Sequence, residues 1–114
     1  MRNEFDLVSL GILWDRLISI TDEILATLLR TSFSIVVRES YDCSCVLFDP
    51  TGSSLAQGTY SIPSFTGTAP PTLAHMLHRF PPCTLQPEDV IITNDPWQGT
   101  GHLFDINVIT LSST

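Results

Sequence analysis

Lysine is absent from the 114 residues, and arginine alone supplies the 5 basic groups set against 12 acidic ones, for a formal net charge of −7. A chain so poor in cations has no electrostatic footprint for phosphate backbones, which excludes nucleic acid as a partner. Long hydrophobic runs are missing too. Arg16, Asp22 and Glu23 interrupt the one extended apolar segment, so no stretch reaches the roughly 18 residues that a membrane span needs. The first residues, MRNEFDLVSL, carry Glu4 and Asp6 where a secretory signal keeps positive charge ahead of an apolar stretch. A cytoplasmic location is therefore expected. Cysteine is scarce: Cys43, Cys45 and Cys83 are odd in number and show no pairing pattern, as in a chain kept reduced. Internal repeats and low-complexity runs are absent as well, and the length suits one core.

What is present begins with a helix. From about Asp6 to Arg30, the residues Leu10, Leu13, Leu17, Ile20, Ile24 and Leu28 recur at spacings of three and four, widened by Trp14, Leu25 and Leu29. They form one apolar stripe. Asp15, Asp22 and Glu23 occupy the opposite face. A helix of about 36 Å is long for a small domain and needs a surface to cover it. Short β-type runs follow, FSIVV at 33–37 and CSCVLF at 43–48, then DPTG at 49–52 as a type I turn leading to SLAQG. Cys43 and Cys45, two apart, would share one face of a strand. They read as half of a zinc site or as small buried hydrophobes, and the second reading is favoured because no further Cys pair accompanies them. The proline-rich stretch at 58–72 is expected to be a loop. LAHMLHRF at 73–80 reads as a short helix bounded by Pro pairs, with Leu73, Met76, Leu77 and Phe80 on one side and His75 and His78 as solvated surface residues. VIIT at 90–93 reads as a buried strand, and INVIT at 106–110 as another.

Between those two strands lies TNDPWQGTGHLFD, residues 93–105. It is not a phosphate loop, because no Lys follows its glycines and a strand rather than a helix comes next. His102 and Asp105 offer an imidazole and a carboxylate, which suit Zn, Mn or Fe. Three apart, they would point to opposite faces of a regular strand. Joint ligation therefore demands a turn or bulge at Leu103 and Phe104. The plain alternative is a tight loop in which Asp95 before Pro96 opens a turn, Gly99 and Gly101 supply backbone freedom, and His102 sits at a strand end.

Taken in order, RESYDCSCVLFDPTGSSLAQG at 38–58, SIPSFTGTAP at 61–70, FPPCTLQPEDVIITNDPWQGTGHLFDINVIT at 80–110 and the leading amphipathic helix resemble the N-terminal region of the hydantoinase B/5-oxoprolinase family. That family includes B subunits of ATP-dependent N-methylhydantoinases, a large part of fused 5-oxoprolinases, and large subunits of acetone and acetophenone carboxylases. Its members are several times longer than this chain. The resemblance therefore implies that residues 1–114 form a single partial domain, inactive alone, from the N-terminal part of such a subunit. In carboxylase relatives the His and Asp of this block belong to a metal site completed farther along the chain. That role carries onto His102 and Asp105, with Asp95 a less secure neighbour. Two departures stand out: Phe104 occupies a position where the family usually has Pro, and Phe65 stands where some branches place a His.

The resemblance further implies part of an ATP-dependent hydrolase that opens a five-membered cyclic amide, a hydantoin or 5-oxoproline. A hydantoinase A-type partner subunit or domain would use the ATP, forming a hetero-oligomer, and a divalent metal, Zn or Mn, would serve the hydrolysis. A ketone carboxylase subunit, or a non-catalytic truncated remnant or assembly module, is the alternative. The expected architecture is α+β, with the long N-terminal helix packed on one mostly antiparallel sheet built from the segments at 33, 43, 54, 90 and 106, and a short second helix near 73.

Overall fold

The computed structural model describes residues 6–40 and 42–112, without the side chains at 63 and 64; Glu4 of the acidic start lies outside them. Asp6 caps the first helix, α1 (Leu7–Thr31), by accepting the Ser9 amide on Oδ1 at 2.6 Å. That bond satisfies one of the donors a helix start leaves unpaired, and it holds the Asp6 carboxyl below its ordinary range. The helix thus begins and ends where the apolar periodicity places it. Two compact units follow from the chain's own contacts, residues 1–66 and 67–114. No described helix is long and apolar enough to cross a membrane.

In the first unit, α1 packs on an antiparallel hairpin of β1 (Val46–Phe48) and β2 (Ser54–Gln57). The DPTG segment turns between them, with the Gly52 amide bonded to the Asp49 carbonyl at 3.0 Å and the Asp49 carboxylate accepting the amides of Thr51 and Ser53, each at 2.9 Å. The helix is tied to the end of β2 by Asp22, whose two oxygens accept the Thr59 amide at 2.6 Å and the Thr59 hydroxyl at 2.7 Å. Gly58 lies so close to α1 that an added Cβ would stand 3.2 Å from Leu25 Cδ2. Close approach therefore accounts for the glycine in SLAQG.

The side of α1 that this hairpin covers is not the centre of the apolar stripe. Thr21 and Leu25 are buried, and Leu17 and Ile20 are half-buried. Leu10, Leu13, Ile24 and Leu28 stay 43–47% exposed. At 100° per residue, the buried line through Thr21 and Leu25 is rotated roughly 70° from the stripe's axis. Thr21 tolerates burial because its hydroxyl donates to the Ile18 carbonyl at 2.7 Å.

Three sequence-based expectations are corrected here. FSIVV is not a strand: residues Ile35–Ser40 form a short helix, α2, started by Ser34, whose carbonyl accepts the Arg38 amide at 3.0 Å. None of α2 is buried, so no sheet neighbour rewards the β-branched side chains, and their helix penalty of a few tenths of a kcal/mol is easily overridden. The strand expected at 43–48 is β1 and starts only at Val46, so Cys43 and Cys45 precede it, half-buried, rather than lying on it. The stretch after residue 62 is not a loop either, because α3 runs over Pro63–Arg79 with Pro70 and Pro71 inside it. Proline's fixed φ is helical, so its cost is lost amide bonds and crowding; Thr72, buried, donates its hydroxyl to the Thr68 carbonyl at 2.8 Å within the same turn. Leu73 and Met76 are buried, whereas His75 and His78 are exposed, as expected.

In the second unit, a 3-10 turn at Pro82–Thr84 precedes an antiparallel pair, β3 (Val90–Thr93) with β4 (Asn107–Thr110), in register from Val90 opposite Thr110 to Thr93 opposite Asn107. VIIT is not buried on both faces. Ile91 and Thr93 are half-buried, while Val90 and Ile92 are 54% and 64% exposed. The α+β class stands, but the described strands form two separate two-stranded sheets rather than one five-segment sheet.

Candidate functional site

The pairing of Thr93 with Asn107 closes the neck of the loop at 94–106. Its first half is ordered by its own polar groups. The Thr93 hydroxyl accepts the Asp95 amide at 3.1 Å, and Asp95 Oδ1 accepts the Trp97 amide at 2.9 Å. The Asp95 carbonyl in turn accepts the Gln98 amide at 3.3 Å. This is the Asx-type turn that Asp before Pro favours. Gly99 then passes against the neck: a Cβ there would stand 2.7 Å from Asn107 Nδ2 and 3.0 Å from the Asp95 carbonyl oxygen. Only glycine fits without displacing one of them.

The second half contains the turn that joint action of His102 and Asp105 demands. Leu103 and Phe104 form it. Across that turn, His102 Nδ1 lies 3.3 Å from Asp105 Oδ2, with the two side chains 70% and 23% exposed. The same Oδ2 accepts a short hydrogen bond from the Thr100 hydroxyl. Thr100 therefore fixes the carboxylate, and the carboxylate faces the imidazole. Sequence reasoning misses Thr100; its place five residues before Asp105, across a Gly-containing turn, is the signal that could have found it.

A metal can be tested against this donor set. With bonds of about 2.05 Å from Zn to nitrogen or oxygen, two donors on a tetrahedron are about 3.3 Å apart. The observed separation has that length, which is also that of a direct ion pair between the two, so His102 and Asp105 are compatible with one edge of a coordination shell. The rest of a shell is not here: among the described residues, no group of three or more His, Cys, Asp or Glu side chains is placed to hold a metal ion. Asp95 is not brought into such a group, and its carboxylate serves the turn. Cys43 and Cys45 form no such group either, and burial raises both thiols above their ordinary range, which disfavours the thiolate that ligation needs.

Comparison with known proteins gives this geometry a context. Residues 6–111 match the family model described as hydantoinase B/oxoprolinase. Among curated relatives, the chain is 37% identical over 108 residues to 5-oxoprolinase 1 of Arabidopsis thaliana, covering 95% of this chain and 8% of that protein. It is 35% identical over 109 residues to 5-oxoprolinase of Saccharomyces cerevisiae, covering 96% of this chain and 8% of that protein. The putative B-type subunit of a D-/L-hydantoinase from a Pseudomonas species is 32% identical over 81 residues, 69% of this chain and 14% of that protein. The chain thus spans less than a tenth of the length of the 5-oxoprolinases it matches. No solved structure matches it significantly.

Proposed function

The chain belongs to the hydantoinase B/oxoprolinase family, and from that premise we propose that it supplies the N-terminal part of a B-type region in an ATP-dependent hydrolase of five-membered cyclic amides, 5-oxoproline foremost. The observation that carries this reading is the match across residues 6–111 together with two 5-oxoprolinase relatives at 35% and 37% identity over nearly the whole chain. A hydantoinase A-type subunit or domain, acting in the cytoplasm, would use ATP to activate the ring oxygen. The B-type region would then hydrolyse the activated ring.

Within that division of labour, His102 and Asp105 would hold a divalent cation, Zn or Mn, with the remaining ligands drawn from other parts of the complete subunit. The cation, when bound, supplies Lewis-acid polarisation of the groups that react. The chain's own residues prepare the place. Thr100 and the turn at Leu103 and Phe104 keep the Asp105 carboxylate facing His102 before any ligand arrives, which is the preorganisation a functional site requires. Asp95, the less secure third candidate, orders the loop beside the pair through its bond from the Trp97 amide.

The test is a chimera in which residues 6–111 replace the matching segment of the Arabidopsis 5-oxoprolinase. The expected result is 5-oxoproline-dependent ATP hydrolysis that His102→Ala and Asp105→Ala each lower at least a hundredfold, with Zn or Mn content lost in the double variant. Asp95→Ala lowers activity less and leaves metal content intact. A chimera that folds and turns over 5-oxoproline undiminished without His102 and Asp105 refutes their assignment. A folded chimera with full metal content and no activity refutes the 5-oxoproline reading.

A further inference from the structure

Two side chains meet a single oxygen in the loop between β3 and β4. Asp105 Oδ2 accepts the short hydrogen bond from the Thr100 hydroxyl and stands 3.3 Å from His102 Nδ1. The two contacts differ in kind. The first is a strong O–H donor on a carboxylate, whereas a charge-assisted N–H···O bond runs to about 2.7–2.9 Å and the second is longer than that. Among the described residues, no hydrogen bond joins His102 to Asp105. Two donors whose lone pairs converge on a third atom stand at such a distance without aiming at each other. The backbone that allows this is local. Gly101 has a φ of +85°, and a Cβ there would meet nothing within 4 Å, so conformation and not space calls for the glycine.

A carboxylate oxygen offers about two lone pairs. On Oδ2 the Thr100 proton takes one, which leaves the other for the His102 side. We propose that Thr100 is a positioning residue that selects the donor atoms of this edge: it holds Oδ2 beside His102 Nδ1, so that a divalent cation is taken through Nδ1 and through one oxygen of Asp105. The inference rests on the reading of His102 and Asp105 as ligands, and it adds which atoms they use and what fixes them. Without the Thr100 bond the carboxylate turns about its outer torsion, which is broad for Asp, and either oxygen can face the imidazole. Use of Nδ1 also places the ring proton on Nε2. The His102 side chain is 70% exposed, so water or a neighbouring carbonyl can accept that proton, as the second nitrogen of a ligating His requires.

The test is a zinc titration of the full chain labelled with nitrogen-15, read by NMR at the His102 ring nitrogens. Thr100→Val keeps the side-chain shape without the donor, Thr100→Ala also lacks the donor, and Thr100→Ser keeps it. In the parent, zinc moves Nδ1 to the shift of a metal-bound nitrogen while Nε2 remains protonated. Thr100→Val and Thr100→Ala each weaken this binding about tenfold, the low end of the cost of losing a partner to a metal ligand, and Thr100→Ser stays within about threefold of the parent. Amide shifts across β3 and β4 report whether the hairpin is intact in each variant, and rescue by serine alone is not the pattern of a folding defect. Zinc on Nε2 overturns the proposal, as does binding in the donor-free variants as tight as in the parent. His102 nitrogens that ignore zinc at millimolar concentration overturn it too, since the edge is then not formed in advance. The ligand reading itself fails separately, if the 5-oxoprolinase chimera keeps its metal content in the His102→Ala, Asp105→Ala double variant.

Discussion

Gly99→Ala probes the loop that holds His102 and Asp105 together at its tightest point. The new Cβ would lie 2.7 Å from Asn107 Nδ2 and 3.0 Å from the Asp95 carbonyl oxygen. Ordinary contacts begin near 3.4 Å, so either the Asn107 amide must retreat by more than half an ångström or the Asx turn must open. Overpacking of this kind costs about 1–3 kcal/mol. Gly99 is not among the glycines with positive φ, so alanine also gains about 0.4–1 kcal/mol by restricting the unfolded chain. The net expectation is a loss of about 1–2 kcal/mol. Because the strain passes through Asn107, the double variant Gly99→Ala, Asn107→Ala should cost less than the sum of the single changes by about 1 kcal/mol. Hydrogen exchange at the amides bonded across β3 and β4 measures the stability of this hairpin, and the His102 ring resonances report whether the imidazole still faces Asp105. If Gly99→Ala leaves exchange rates at or below those of the parent and the His102 spectrum unchanged, the close approach at Gly99 does not hold the loop in shape.

Two further expectations concern α1. Leu25→Ala empties a position only 2% exposed beside Gly58 and should cost about 2–5 kcal/mol in urea unfolding, whereas Leu28→Ala at 45% exposure should cost well under about 1 kcal/mol in a monomeric sample; equal costs would mean that the packed side of the helix is misassigned. At the N-terminus, the amide of Ser9 holds the Asp6 carboxyl below its ordinary 3.8. A depressed folded value means that the cap contributes in full above pH 3.8 and is lost as pH falls through the lower folded value. Helical ellipticity on acidification should therefore fall by an increment that Asp6→Ala lacks, and identical acid profiles for the two proteins would sink the cap.

The parts legible in the sequence are those whose physics is local. Asp6 and the three-four spacing mark α1 to within a residue or so, DPTG makes its turn through the Asp49 side chain, and the need for a bend at Leu103 and Phe104 follows from strand geometry alone. What misleads is composition without its surroundings. Ile35, Val36 and Val37 have strand-forming side chains but no sheet neighbour to pack on, and Ser34 starts a helix there instead. Pro70 and Pro71 look like stops, yet burial of Thr72, Leu73 and Met76 lies in the same helix and offsets the lost amide bonds. The stripe on α1 is apolar as its spacing says, but periodicity carries no information about which part of it the hairpin covers. That depends on Gly58 and on the reach of Asp22 to Thr59, a pairing 37 positions apart that spacing along the chain cannot reveal.

The candidate site divides along the same line. Each side-chain hydrogen bond inside the loop, from Thr93 to Asp95, from Asp95 to Trp97 and from Thr100 to Asp105, joins residues no more than five apart. A loop built from such short-range bonds keeps its shape largely independently of what surrounds it, because closing small loops costs little entropy. Two donors at the edge length of a tetrahedral shell can thus be formed before the other ligands are in reach. Ligation by the pair alone is weak, since the affinity of structural zinc sites is shared among four ligands. Under the proposed ligation, the dependence of metal binding on the remainder of a family subunit is a matter of ligand count rather than of folding. Any change that spoils Thr100 or the turn at Leu103 and Phe104 should weaken metal binding even where both His102 and Asp105 are retained.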